Sequence, residues 1–139
     1  MTRVVTVRDA RPGDAPAVLG VLDAAALETD ADRVRAAVER GDALVAVPAA
    51  PDRATVVGAL VLDGNRIANV AVRRRRRDRG IGSALVDAAA DRVRGDRGRD
   101  DALVAEFEGS QRPFYESLGF AVEPLGGGRY RGVLDAAGE

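Results

Sequence analysis

The chain has 139 residues and a formal net charge of −1, and it contains no histidine, cysteine or lysine, so all 21 basic residues are arginine. That length predicts a single domain, 1–139, with room for a core, and the near-neutral balance excludes a globally basic nucleic-acid protein. The missing residue types exclude disulfides, thiol nucleophiles, Ser-His-Asp triads, lysine Schiff bases and nearly every zinc site, so no metal is expected. Residues 3–8 alternate as a strand does. Arg11-Pro-Gly-Asp14 reads as a turn with Asp14 as N-cap, and Val18, Leu19, Leu22, Ala25 and Ala26 follow at helical spacing. A second helix is predicted from Thr29 or Asp30, burying Val34, Ala37 and Val38 and stopping at Gly41.

Residues 43–47 and 55–62 read as strands, and Asp63-Gly64 as a hairpin turn into a strand over 66–73. Ile81, Ala84, Leu85, Ala88, Ala89 and Val93 make the apolar face of a helix. After a charged connector, 95–101, come a strand over 102–107 and a short helix over 110–118 closed by Gly119. Two strands, 120–124 and 129–134, follow around Gly126-Gly-Gly128. The predicted order is β-α-α-β-β-β-α-β-α-β-β, an α/β class with a mixed sheet flanked by helices and binding sites at strand ends. No run of 18 apolar residues occurs and the first residues lack the apolar region of a signal peptide, so a cytoplasmic, membrane-free location is expected.

The segment 66–93 carries the strongest functional signal. An apolar strand leads into a loop of five arginines, Arg73 to Arg77, then Gly80-Ile-Gly82, then the amphipathic helix. Glycines let a backbone approach a ligand closely, and a helix start offers amide N–H groups with no intrahelical partner. With the positive end of the helix dipole, that suits a phosphate or pyrophosphate. The segment is not a P-loop, because Gly-x-x-x-x-Gly-Lys is absent, and the third glycine of a dinucleotide fingerprint is missing.

Val70-Ala-Val72, Arg77-x-x-Gly80-x-Gly82-Ser83 and Phe114-Tyr-Glu-Ser-Leu-Gly-Phe120 resemble the GCN5-related N-acetyltransferase (GNAT) superfamily, and the element order resembles it over the whole chain. The resemblance implies acetyl-CoA as donor. Val70 and Val72, with Ala71 between them, would offer backbone groups to the pantetheine arm. Arg77 matches the family's Gln/Arg position, and Asp78, Arg79, Gly80, Ile81, Gly82 and Ser83 match the loop that holds the pyrophosphate. Tyr115 matches the tyrosine that protonates the departing thiolate; a phenol with an ordinary pKa near ~10 holds its proton at neutral pH. Tyr115 lies off the Phe114/Leu118 stripe, which predicts a hydroxyl facing a cleft.

Glu106 sits near the place of a general base in some relatives, while Asn69 stands where others carry a carboxylate. Ser110 or Gln111 replaces an asparagine that often contacts the cofactor there. Glu28, Thr29 and Asp30, with Glu106 and Glu108, could form an acidic cleft for an amine, but helix capping by itself accounts for Asp30 and Asp32 and is the preferred reading. The implied activity is transfer of acetyl to an amine acceptor, small-molecule or protein/peptide, by direct attack, since no cysteine exists for an acyl-enzyme. A non-catalytic CoA-binding or sensing module is the alternative. A nucleic-acid patch on the arginine run is disfavoured by the 4% aromatic content. A homodimer is compatible with all of these.

Overall fold

The protein's structure, a computed structural model, describes residues 5–24, 30–48, 56–73, 80–95 and 102–135. Seven strands form one sheet: β1 (Val5–Asp9), β2 (Ala43–Pro48), β3 (Gly58–Asp63), β4 (Arg66–Val72), β5 (Ala102–Glu108), β6 (Ala121–Gly126) and β7 (Arg129–Asp135). Their spatial order is β1-β2-β3-β4-β5-β7-β6. The helices are α1 (Ala15–Ala24), α2 (Ala31–Glu39), α3 (Ile81–Gly95) and α4 (Arg112–Ser117). The predicted order is the observed one, with 3-10 turns at Pro12–Asp14 and Gly109–Gln111 added ahead of α1 and α4.

Helices cover the two faces unequally. On one face α1 and α2 bury Val18, Leu22, Val34 and Val38 against Val45, Ala59 and Val61. On the other, α3 buries Ile81, Leu85, Ala89 and Val93 against Leu44, Leu60, Leu62 and Leu103. β2 and β3 are therefore apolar on both faces and read as near-continuous aliphatic runs. Each such side chain contributes roughly 1.5–3 kcal/mol on burial.

Two helix starts illustrate local chemistry. Asp30 caps α2 as expected, its carboxylate accepting the N–H of Asp32 at 3.0 Å and of Arg33 at 3.3 Å. Asp14 is not the N-cap the sequence suggests. Pro12, with its fixed φ, lets the helical path begin earlier, and Asp14 ends that first turn. Its carboxylate reaches back to the Arg11 N–H at 2.8 Å and takes the Arg8 guanidinium at 2.7 Å. Ala25, Ala26, Glu28, Thr29 and most of the 95–101 connector lie outside the described residues.

β4 positions the site. It pairs with β3 along its length, except that Ala68 is an extra residue bulged out between Val61↔Asn69 and Leu62↔Ile67. With β5 it forms the only parallel pair among the described residues, and that pair has two rungs, Arg66↔Val104 and Ile67↔Ala105. Asn65 closes this end: its carbonyl accepts from the Val104 N–H at 2.9 Å and its side-chain amide donates to the Ala102 carbonyl at 2.9 Å. A bulge bends the strand that carries it. Beyond Ala68 the two strands run on without pairing, and the sheet opens. A second bulge, at Leu125 beside Pro124, interrupts the β6–β7 ladder.

Candidate active site

The opening between β4 and β5 exposes backbone by a simple alternation. The Arg73 N–H donates to the Val57 carbonyl at 2.8 Å, in register with Ala59↔Ala71 and Val61↔Asn69. In an antiparallel ladder every second residue makes these bonds, so Asn69 and Ala71 turn their N–H and C=O groups to β3. Val70 and Val72 turn theirs toward the opening. An extended ligand lying there meets the backbone of Val70, with Ala71 occupied on the other side.

α3 begins beside the end of β4. Gly80 has φ +78°, a left-handed conformation that disfavours any residue with a Cβ, and its carbonyl accepts the first helical bond, from Ala84, at 3.0 Å. The amides of Ile81, Gly82 and Ser83 are thus in the first turn, without intrahelical acceptors. A Cβ on Gly82 would stand 3.3 Å from the Phe114 ring and 3.9 Å from Val72 Cγ2, so the α3 start, the β4 end and α4 converge. Arg73 is anchored, its Nε donating to the Val56 carbonyl at 3.1 Å. Arg74 to Arg77, Asp78 and Arg79 lie outside the described residues.

Tyr115 is placed differently from the sequence expectation. It is the buried residue of α4, 4% exposed, whereas Phe114 and Leu118 are only half-buried. α4 is short and lies across the sheet, so position 115 points down onto β5. The ring stacks on Phe107 at 4.2 Å and meets Phe114 and Phe120 edge-on at 5.0 and 5.2 Å. Burial alone pushes the phenol up to about 12. Tyr115 therefore stays protonated throughout any working pH range, as a hydrogen-bond donor held rigidly by aromatic packing.

Glu106 is on the opposite face of β5 from Phe107 and Tyr115. It accepts a hydrogen bond from Arg131 Nη2 at 3.1 Å across the β5–β7 pair. Arg131 Nε is buried and has no partner among the described residues. Sequence inspection had no means of seeing this pair. The two expected catalytic side chains thus flank the opening from opposite faces and do not touch. Ser110 and Gln111 are exposed in the turn before α4. Among the described residues no cluster of acidic side chains could hold a metal ion.

The family model for the acetyltransferase (GNAT) domain matches residues 38–122, more than half of the chain. The chain belongs to the GNAT acetyltransferase family. Membership implies acetyl-CoA-dependent acyl transfer. No curated protein matches the sequence. Solved structures share the fold. NAA60 of Arabidopsis thaliana in complex with acetyl-CoA superposes with a TM-score of 0.76 at 16% identity, over 94% of this chain and 97% of that one. Ard1 of Thermoplasma volcanium gives 0.73 at 21%, over 94% and 96%. N-acetylglutamate synthase of Neisseria gonorrhoeae, complexed with coenzyme A and N-acetyl-glutamate, gives 0.75 at 18%, over 96% of this chain and 35% of that one. Among the described residues no helix is long and apolar enough to cross a membrane.

Proposed function

We propose that this GNAT protein transfers acetyl from acetyl-CoA to an amine by direct attack, across the opening between β4 and β5. The observation that carries this reading is the two-rung parallel pair. It leaves Val70 facing a gap at whose rim α3 presents the amides of Ile81, Gly82 and Ser83, and Val72, on the same side of β4, joins that set by family resemblance. A pantetheine arm fits the strand edge and a pyrophosphate fits the helix start. The loop residues Arg77, Asp78 and Arg79 join that set by family resemblance. The acetyl-CoA and coenzyme A bound by the structural neighbours support the same assignment.

Tyr115 donates a hydrogen bond to the departing sulfur. A phenol raised to about 12 holds its proton more tightly than a thiol does, so Tyr115 stabilises the departing thiolate as a hydrogen-bond donor. Glu106 is engaged with Arg131, which weakens it as the base, and water is the alternative acceptor of the amine proton. The reacting amine reaches the gap from the Glu106 face while the donor lies along the strand edge. Holding both reactants in one place supplies much of the rate gain.

Calorimetry with acetyl-CoA, followed by amine-dependent CoA release, tests the reading. Tyr115→Phe keeps the ring and is expected to bind acetyl-CoA normally while turnover falls roughly 10²–10⁴-fold. Failure of the wild type to bind acetyl-CoA sinks the proposal. Binding without CoA release on any amine leaves a non-catalytic CoA-binding module.

A further inference from the structure

A groove of about 580 Å³ runs between α2 and β4, on the face away from Tyr115. Its floor is apolar, from Val34, Ala37 and Val61, and its walls carry charge. Arg40 sets its direction. Its Nε donates to buried Asp42 at 2.7 Å and its Nη2 to the Leu62 carbonyl at 3.4 Å, which pins the C-terminal end of α2 beside the β3–β4 hairpin. The start of α2, with Asp30 and Arg33, therefore points along β4 toward Asn69 and the opening.

The two ends differ. At the hairpin end stand two guanidiniums, Arg40 held by the buried Asp42 and Arg66 in a more exposed pair with Asp63 at 3.1 Å. Each keeps N–H donors beyond those bonds, because a guanidinium has five. A held guanidinium loses little rotamer freedom on gripping a carboxylate. At the opening end are the Asn69 side chain and the Asp30 carboxylate, one of whose oxygens caps α2. Arg33 is loosely held, 3.9 Å from Asp30 and largely exposed. From Arg66 to Asn69 the strand advances roughly 10 Å, and the reach of an arginine side chain shortens that to the length of a small molecule.

We propose that this groove is the acceptor subsite and that the acceptor is a small amine bearing a carboxylate, with its amine at Asn69 and its carboxylate at Arg66 and Arg40. This rests on the acetyl-transfer reading above. The neutral amine nitrogen bonds to the acetyl carbon and the carbon–sulfur bond breaks. The sulfur leaves with the electron pair, and the proton lost by nitrogen is balanced by the one gained at sulfur. Guanidiniums discriminate against the neutral analogue because a charge-assisted hydrogen bond to a carboxylate is roughly twice as strong as one to an amide oxygen.

The test compares glycine, β-alanine and 4-aminobutanoate, each against its own carboxamide, in steady-state CoA release. At least one acid should exceed its amide in kcat/KM by about tenfold or more, the discrimination expected of a charge-assisted pair. Arg66→Gln should bring that ratio toward one with acetyl-CoA affinity unchanged, the retained affinity showing that the variant is folded, whereas Arg33→Gln, at the other end of the groove, should keep the ratio. Amides that match their acids throughout, or a ratio that survives in Arg66→Gln, would overturn the proposal. If neutral amines release CoA while no acid is favoured, the subsite fails and the transfer reading stands. If no amine of either kind releases CoA, both fail.

Discussion

On the β1–β4 side of the opening, helices cover both faces of the sheet and the packing is aliphatic. On the β5–β7–β6 side only one face is covered, and it is covered by aromatic rings. The other face carries Glu106, Glu108, Arg129 and Arg131, with Val133 exposed at 36%. The first half gains order from double burial; the second gains it from ring geometry, Phe107 on Tyr115 and Phe120 against both sheet and helix. The joint between two differently built halves is where pairing stops, and that is where the candidate site lies. Rigid walls of unlike construction leave a gap without leaving a loose structure.

Packing at one glycine in each half gives the largest expected contrast. A Cβ at Gly58 would stand 3.1 Å from Leu85, 3.2 Å from Ile81 and 3.3 Å from the Ala71 carbonyl, whereas at Gly132 it would stand 3.1 Å from the rings of Phe107 and Phe120. Gly58→Val and Gly132→Val should each destabilise by about 1–3 kcal/mol in urea unfolding, with Gly58 the larger because backbone cannot yield as rings can. The reverse order would mean that the aromatic half is the less tolerant one.

An alkaline titration isolates the aromatic half further. Tyr115 is pushed from 10.0 up to about 12 by burial, so its neutral form is favoured in the folded state. That stability is complete below pH 10 and is lost as pH rises through 12, because the unfolded chain gives up the proton first. The loss amounts to roughly 2–3 kcal/mol. With no lysine or cysteine in the chain, few other side chains titrate in that window. Urea midpoints from pH 9 to 12 should fall in the wild type and fall less in Tyr115→Phe; parallel falls would show the phenol to be solvated.

The smallest effect belongs to the aliphatic half. The Arg8 guanidinium donates to Asp14 and, with the Arg11 N–H, holds its carboxyl below the usual 3.8. Its contribution is present above that value and disappears as pH falls through the lower folded one. Asp14→Asn should cost about 1 kcal/mol at pH 6 and progressively less as pH falls below 3.8, measured by urea midpoint. A pH-independent cost would point to the cap geometry rather than the charge.

What could be read without coordinates was local. Asp30 as a cap, Asp63-Gly64 as a turn and the glycine start of α3 each depend on neighbours within a few residues, and the element order followed from them. The bulge at Ala68 was invisible, because strand periodicity does not say which partner a strand abandons. The partner of Glu106 was hidden for a similar reason: Arg131 lies 25 residues away and is brought opposite by strand pairing. Tyr115 was misjudged because spacing within a six-residue helix cannot tell which side meets the sheet. The acceptor groove joins a helix to a strand far from it in sequence, so no motif announces it.

The irregular stretch of β6 bears on how the molecule behaves in a crowded solution. β6 is an outer strand of the sheet, and an outer strand is a template on which another chain can add itself. Pro124 has no N–H to offer there, and the Leu125 bulge throws the ladder out of step just before the Gly126 turn. A visiting strand would find neither a continuous row of donors nor a constant register. Leu125, 44% exposed, is thereby kept on a surface that resists strand-by-strand aggregation.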